Sequence, residues 1–394
     1  MQLREVVDVV TADEPPLAHT ADDIIAAGRR AERRRRAGFA SAGAAGLVAV
    51  AVAGAFALPA AGGKQHATTD LGAAGTSPKA SAAPWVTAAP FTFTFQGYSA
   101  GRFHVQNPIV ASTAYQIASV YEDGRTTNDK PDTSPASGQG EVKKAGGGNP
   151  TVYAYLTLYR PGAFDPAGIK NGTSLTVAGH KAVEATLTVA LDPNNATAPG
   201  NKELAWEYGD NAWAVVTSIS SDAADPSFAD LTALVTGLTP GTPTPAKVPF
   251  TVGYVPTGYQ LVQTGTHAQP GLAGIAAARE GDYGGATFAR PAPATTGLSA
   301  PFDSGVSVVP GSFTITVTPS QNSSQKAQAG KTKCYPNGFC NVWSADGKVQ
   351  VQVGDEGTGA KLTETELTRI AHSVTVADAT DEATWTPAAK VQQP

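Results

Sequence analysis

The chain has 394 residues, 41% of them hydrophobic and only 15% charged, and its 28 Lys and Arg against 33 Asp and Glu leave a net charge of −5. That balance excludes a nucleic-acid-binding surface over the bulk of the chain, and two cysteines in all exclude a thiolate metal site. With 42 Gly and 29 Pro, the composition points to short strands and long loops, in a chain long enough for two modest domains.

Leu3, Val6, Val7 and Val10 follow the i, i+3, i+4, i+7 spacing of one helical face. Asp13-Glu14-Pro15-Pro16 breaks that helix. Thr20 caps a second, with Asp22 and Asp23 at its positive end and arginines at its far end. Residues 1–36 are too few to bury a core. They read as a cytoplasmic helical segment, either a solvated or membrane-lying leader or a partner-docking helix pair whose contact face is Leu3, Val6, Val7 and Val10.

Arg29, Arg30, Arg33, Arg34, Arg35 and Arg36 then precede 37–61, a stretch without one charged residue. A helix rises about 1.5 Å per residue, so roughly 20 apolar residues cross a hydrocarbon core of about 30 Å. The stretch 37–61 is therefore expected to be a transmembrane helix. The arginine collar places the N-terminus in the cytoplasm and the large C-terminal part outside the cell membrane. A cleaved signal peptide is the rival reading, because small residues near Pro59 to Gly63 suit a processing site. The length and acid content of the preceding segment favour an anchor. Residues 62–89, rich in Ala, Gly, Thr, Ser and Pro, read as a flexible linker.

From Pro90 the pattern turns to alternation. Phe91, Phe93 and Phe95 alternate with Thr92 and Thr94 as a half-buried strand requires. Further strands are expected near 102–105, 114–121, 152–159, 174–178, 182–190, 203–208 and 213–219. Asp225-Pro226 is expected to start a helix, with Asp as cap, and Leu231, Leu234, Val235 and Leu238 form its apolar face. The order then recurs. Pro249-Phe250-Thr251-Val252 echoes Pro90-Phe91-Thr92-Phe93, Gly258-Tyr259 echoes Gly97-Tyr98, and Trp343 with Gly347 echoes Trp206 with Gly209. Thr363 and Glu366 form a capping box, and Leu367, Ile370, Ala371 and Val374 repeat the earlier helical face. From Trp to the first helical Leu is about 25 residues in both halves. Irregular excursions are expected at 122–150 and around 290–304.

Two resemblances bear on these patterns. LREVVDVV, ADEPP, DDIIAAGRRAERRRR and the Ala/Gly/Val stretch together resemble the N-terminus of actinobacterial single-pass membrane proteins, some of them associated with extracytoplasmic-function sigma factors and similar to anti-sigma factors. The zinc-binding His/Cys pattern of one anti-sigma class is absent, for His19 stands alone. The Trp-Gly strand followed by ADLTALVTGL or TELTRIAHSV, with the Pro256 to Leu261 opening, resembles a family of extracytoplasmic domains of unknown function in bacterial membrane proteins. That resemblance implies sensing or structural duty and brings no catalytic residues with it.

Cys334-Tyr-Pro-Asn-Gly-Phe-Cys340 is the most specific local feature. Pro336-Asn337-Gly338 suits a tight turn, which sets Tyr335 opposite Phe339 and Cys334 opposite Cys340, close enough for a disulfide. Closing so short a loop stabilises the hairpin by roughly 2–3 kcal/mol. His66, His104, His180, His267 and His372 show no metal spacing, and no Gly-x-Ser-x-Gly nucleophile elbow occurs. Asp355-Glu356 reads as part of a solvated turn. Trp206, Trp213 and Trp343 read as packing residues, with an exposed glycan platform as the alternative.

The expected fold is α+β: an N-terminal transmembrane helix, then two tandem antiparallel-sheet units, 90–240 and 246–378, each closed by a C-terminal helix, and a tail over 379–394. The expected function is that of a non-enzymatic, membrane-anchored extracytoplasmic sensor or binding protein, with no cofactor and no metal. It would meet a cell-envelope ligand and regulate a sigma factor or other cytoplasmic partner. The alternatives are an envelope- or glycan-binding adhesive module without signalling, a secreted two-domain binding protein if 37–61 is cleaved, and an unfamiliar hydrolase.

Overall fold

A computed structural model describes residues 88–122, 152–187, 200–219, 226–276, 283–303, 308–320, 322–335, 338–355, 358–360 and 362–393. In the first half lie β1 (Thr92–Phe93), β2 (Tyr98–Ala100), β3 (Phe103–Val105), β4 (Val110–Ser112), β5 (Tyr115–Glu122), β6 (Ala154–Tyr159), β7 (Thr173–Val177), β8 (His180–Thr186), β9 (Lys202–Gly209), β10 (Ala212–Ser218) and helix α1 (Phe228–Thr236). A crossover follows with β11 (Thr244–Pro245), β12 (Lys247–Val248) and β13 (Phe250–Val252). The second half holds β14 (Gln260–Thr266), α2 (Gly271–Ala276), β15 (Gly284–Ala289), β16 (Ser312–Pro319), α3 (Ser323–Lys326), β17 (Thr332–Tyr335), β18 (Phe339–Trp343), β19 (Val349–Gly354), α4 (Glu364–His372), β20 (Val374–Val376) and β21 (Thr386–Pro387).

Fifteen of these strands form one sheet, in the order β17-β18-β19-β16-β15-β14-β4-β5-β6-β10-β9-β8-β7, with β2 and β3 at its side. The halves run similar courses, with four strands in the second meander of the first half and three in that of the second. Three strands meander (β4-β5-β6, β14-β15-β16), and a second meander returns its last strand, β10 or β19, to the third. The halves join where β14 pairs antiparallel with β4, Gln263 opposite Ser112 and Gly265 opposite Val110.

This overturns the expected α+β arrangement of two sheet units, each closed by its own helix. The described chain is mostly β, and one sheet runs through both halves. The physical reason is that β4 and β14 would each be a bare edge, with unpaired N–H and C=O groups that the other satisfies. The two motif-marked helices are only nine residues each. Among the described residues no helix is long and apolar enough to cross a membrane. The helix expected at 37–61 and the cytoplasmic segment 1–36 lie outside the described residues.

Both longer helices cover the same face of the sheet. Leu231, Leu234, Val235 and Leu238 pack with Phe103, Val120, Leu156, Leu204, Trp206 and Val216. Leu367, Ile370 and Ala371 pack with Phe250, Phe313, Ile315, Val351 and Val353. Each such buried side chain stabilises by about 1.5–3 kcal/mol relative to exposure. The α4 cap is the Thr363/Glu366 box. The α1 cap is Ser227, not Asp225: Ser227 Oγ accepts from Asp230 N at 3.2 Å while the Asp230 carboxylate accepts from Ser227 N at 2.8 Å. Ser with an acid three residues on satisfies two orphan N–H groups reciprocally.

The segment read as a tail is stitched in. Its strand β21 pairs with β12, Val252 N donates to Val391 O at 2.8 Å, and Ala388 and Val391 are buried.

Candidate functional site

The second face of the sheet differs between the halves. In the first half it is aromatic and aliphatic: Tyr115 and Ile117 on β5, Tyr155 and Tyr159 on β6, Trp213 and Val215 on β10. In the second half the corresponding surface presents Gln263, Thr287, Thr316 and Gln350, all buried, and the half-buried Gln352. Strand alternation does this, because Ile315, Val317, Val351 and Val353 take the helix-covered face and leave their neighbours to the other.

A strap from the second half crosses the apolar part. It consists of α2 with its approach from Gln269, and of the segment 298–303. Leu272, Ile275, Leu298 and Phe302 pack on the aromatic face. Leu298 bridges to Phe164, its N–H donating to Ala163 O at 2.9 Å and its carbonyl accepting from Asp165 N at 2.8 Å. Tyr115 clamps the middle: its hydroxyl accepts from Phe302 N at 2.8 Å and donates to Gln263 Oε1 at 2.8 Å. Burial holds this phenol far above its ordinary pKa, with the Asp303 charge adding to the effect. Two close approaches require glycine. A Cβ on Gly168 would lie 2.6 Å from Ser299 Cβ, and one on Gly271, at φ +91°, would lie 2.3 Å from the Asp303 carboxylate.

The strap divides the second face into two cavities. That on the second half, about 250 Å³, is polar, with Gln263, Thr287, Thr314, Thr316 and Gln352 in its lining. That on the first half, about 240 Å³, is walled by Tyr155, Tyr159, Ile169, Val215 and Leu272, with Gly168 and Ser299–Pro301 at its rim. Its floor carries Glu203. The register sets Tyr155, Thr217 and Glu203 in one row across β6, β10 and β9. Glu203 is 9% exposed, and Thr217 Oγ1 donates to its Oε2 at 2.9 Å. Burial raises the pKa of this carboxyl, and the Thr217 hydrogen bond offsets only part of that. Among the described residues no lysine or arginine pairs with it. Tyr159 is likewise pushed well up, first by burial, then by the nearby Tyr115 and Glu203 charges.

The sequence-predicted residues fare unequally. Cys334 and Cys340 pair across the β17–β18 hairpin with Cα atoms 4.0 Å apart and form a disulfide, and Tyr335 stacks on Phe339. Leu3, Val6, Val7, Val10 and the arginines Arg29, Arg30, Arg33, Arg34, Arg35 and Arg36 lie outside the described residues. Trp206 and Trp213 flank a hairpin and point to opposite faces, and with Trp343 all three are buried. Asp355 is not solvated: it is buried, and its carboxylate accepts from Leu362 N at 2.8 Å. His104 bonds Ser99, His372 bonds Thr332, His180 packs on Trp206, and His267 meets Glu382 and Trp385. Among the described residues no three His, Cys, Asp or Glu gather as metal ligands would.

Sequence reasoning missed Glu203 and its surroundings. Alternation put Glu203 opposite Leu204 in a strand, which marks a residue facing solvent or a second layer. That second layer comes from Leu272 and Ser299–Pro301, about 70 to 100 residues further along the chain, so no local signal announced it. With the geometry in hand, comparison with known proteins adds nothing to it: no family model matches the chain, and no curated protein matches it.

Proposed function

We propose that this chain is an extracytoplasmic binding protein that takes a small organic molecule into the cavity over Glu203, without turning it over. The observation that carries the reading is that cavity itself. It lies on a rigid sheet, is walled by both halves, is mostly apolar and has a few convergent polar groups on its floor, as small-molecule sites do. The disulfide supports an oxidising compartment. The arginine collar and the uncharged stretch 37–61 support delivery of the following chain across a membrane. The test is thermal-shift screening of the full-length protein with a panel of small amines, alcohols, acids and sugars, beside a Leu272→Trp variant that fills the cavity. Stabilisation of the wild type and not of the variant is expected. A panel that stabilises neither sinks the reading.

A second reading has its own observation. The Gln- and Thr-lined cavity on the other side of the strap suits a polyhydroxylated ligand such as a cell-envelope glycan. Binding of soluble peptidoglycan fragments, lost on Gln352→Leu, would favour it. Regulation of a sigma factor or other cytoplasmic partner is a further proposal, resting on the pattern of residues 1–36 and on the resemblance noted there. Capture of such a regulator by the full-length protein, abolished by Leu3→Asp with Val7→Asp, would support it, and unchanged capture would remove it.

A further inference from the structure

We propose that the cavity over Glu203 takes a small organic amine, its ammonium group seated on the Glu203 carboxylate and its carbon skeleton against Tyr155, Tyr159, Val215 and Leu272. This rests on reading the cavity as a ligand site and names the chemistry of what enters it.

The argument starts from a cost. A carboxylate taken out of water is expensive unless it is paired and hydrogen-bonded. Glu203 has one hydrogen bond, from Thr217, and no cationic partner among the described residues. Its burial comes from the strap and from the 3₁₀ turn at Pro166–Gly168, so the fold itself creates the deficit. Native proteins seldom leave such a group uncompensated, and an open cavity beside it is where compensation enters. A bare metal ion does not fit. Ca²⁺ takes about 6–8 oxygen ligands and Mg²⁺ about six, whereas one carboxylate and a few hydroxyls converge here. A cavity of about 240 Å³ with mostly apolar walls has room for a carbon skeleton that an ion would leave empty. Two tyrosine rings on the same strand, Tyr155 and Tyr159, add faces that attract an ammonium group.

The groups that face Glu203 are few. The titratable groups that line the cavity with it are the phenols of Tyr155 and Tyr159 from β6 and the exposed Lys170 at the rim; Thr157, Thr217, Thr186 and Asn171 are neutral, and Ser299–Pro301 of the strap bring no charge. Seating an ammonium ion requires the carboxylate form. Acid therefore weakens binding as the pH falls through the raised pKa of Glu203.

The test is calorimetric titration of the full-length protein with benzylamine and with benzyl alcohol, its neutral counterpart of similar shape. Benzylamine is expected to bind at least about tenfold more tightly, the margin of one charge-assisted hydrogen bond. Glu203→Gln keeps shape and neutral hydrogen bonding, so it should lose that margin while leaving benzyl alcohol unchanged. Its fold is checked by near-ultraviolet circular dichroism. Should it not fold, the wild type decides through its own pH profile, with benzylamine affinity falling in acid and benzyl alcohol affinity flat. Equal affinity for both probes, retained amine preference in Glu203→Gln, or a flat benzylamine profile overturns the amine assignment and leaves the cavity reading standing. Failure of both probes and of every amine in the panel, while a non-amine of the panel binds, does the same. Failure of both probes and of the whole panel overturns both.

Discussion

The two halves of the sheet share a strand order and a capped helix on one face, yet their other faces are unlike. In the first half that face is built of Tyr115, Tyr155, Tyr159, Trp213 and Val215 and is covered by the strap. In the second half it is a row of threonines and glutamines, and the half is finished by a disulfide hairpin. The difference teaches that the helix-covered face preserves the architecture while the opposite face differentiates it. An apolar second face demands a cover, and the cover leaves a cavity at its side. The polar second face meets the other flank of the same strap, at Gln269, Pro270 and Asp303, and keeps a polar cavity there.

The largest test of this contrast removes the strap's anchor. Phe164 is buried between Tyr159 and Trp213. Phe164→Ala should cost about 3–5 kcal/mol in urea unfolding, whereas Thr316→Ala on the polar face should cost about 1 kcal/mol or less. Similar costs would mean that both faces are cores of one kind. Next is the staple of the second half. Replacing Cys334 and Cys340 by Ser should cost roughly 2–3 kcal/mol. Hydrogen exchange should then quicken in β17 and β18 and stay unchanged in β6 and β10. Faster exchange in β6 would show that the disulfide hairpin is coupled to the first half through the shared edge and the strap.

The capped helices probe what the halves have in common. Ser227→Ala and Thr363→Ala should each cost about 1 kcal/mol, and a twofold disparity would show that one helix carries more of the shared face than the other. The smallest effect is electrostatic. Because burial raises the pKa of Glu203 above its unfolded value, its contribution is fully present below the unfolded pKa and is lost as pH rises through the folded one. Glu203→Gln should therefore raise the melting temperature at neutral pH, with the gain vanishing in acid. A gain that persists at low pH would point to packing instead of charge.

Much of the local structure was legible. Alternation located β5, β6, β9 and β10 to within a few residues, and periodicity marked Leu231, Leu234, Val235, Leu367, Ile370 and Ala371, whereas Leu238 and Val374 lie past the helix ends, Val374 in β20. The turn expected at Pro336-Asn337-Gly338 implied the Cys334–Cys340 register, which the β17–β18 pairing has. The α1 cap was misplaced because Asp-Pro and Ser-x-x-Asp are both starting signals, and only the reciprocal hydrogen bonds choose between them. The excursion around 290–304 offered Gly, Pro and Ala with few large residues. Leu298 and Phe302 within it are strap anchors, which periodicity has no means of flagging in an irregular segment.

By itself, then, the amino-acid sequence specified what depends on near neighbours: several strands, one capping box and the disulfide. The tertiary structure alone decided that two edges fuse into one sheet, and that Glu203 is roofed by Ser299–Pro301 and Leu272. Both outcomes rest on contacts between residues far apart in the chain. Their energy comes from surfaces and backbone groups that find each other only after the local elements have formed.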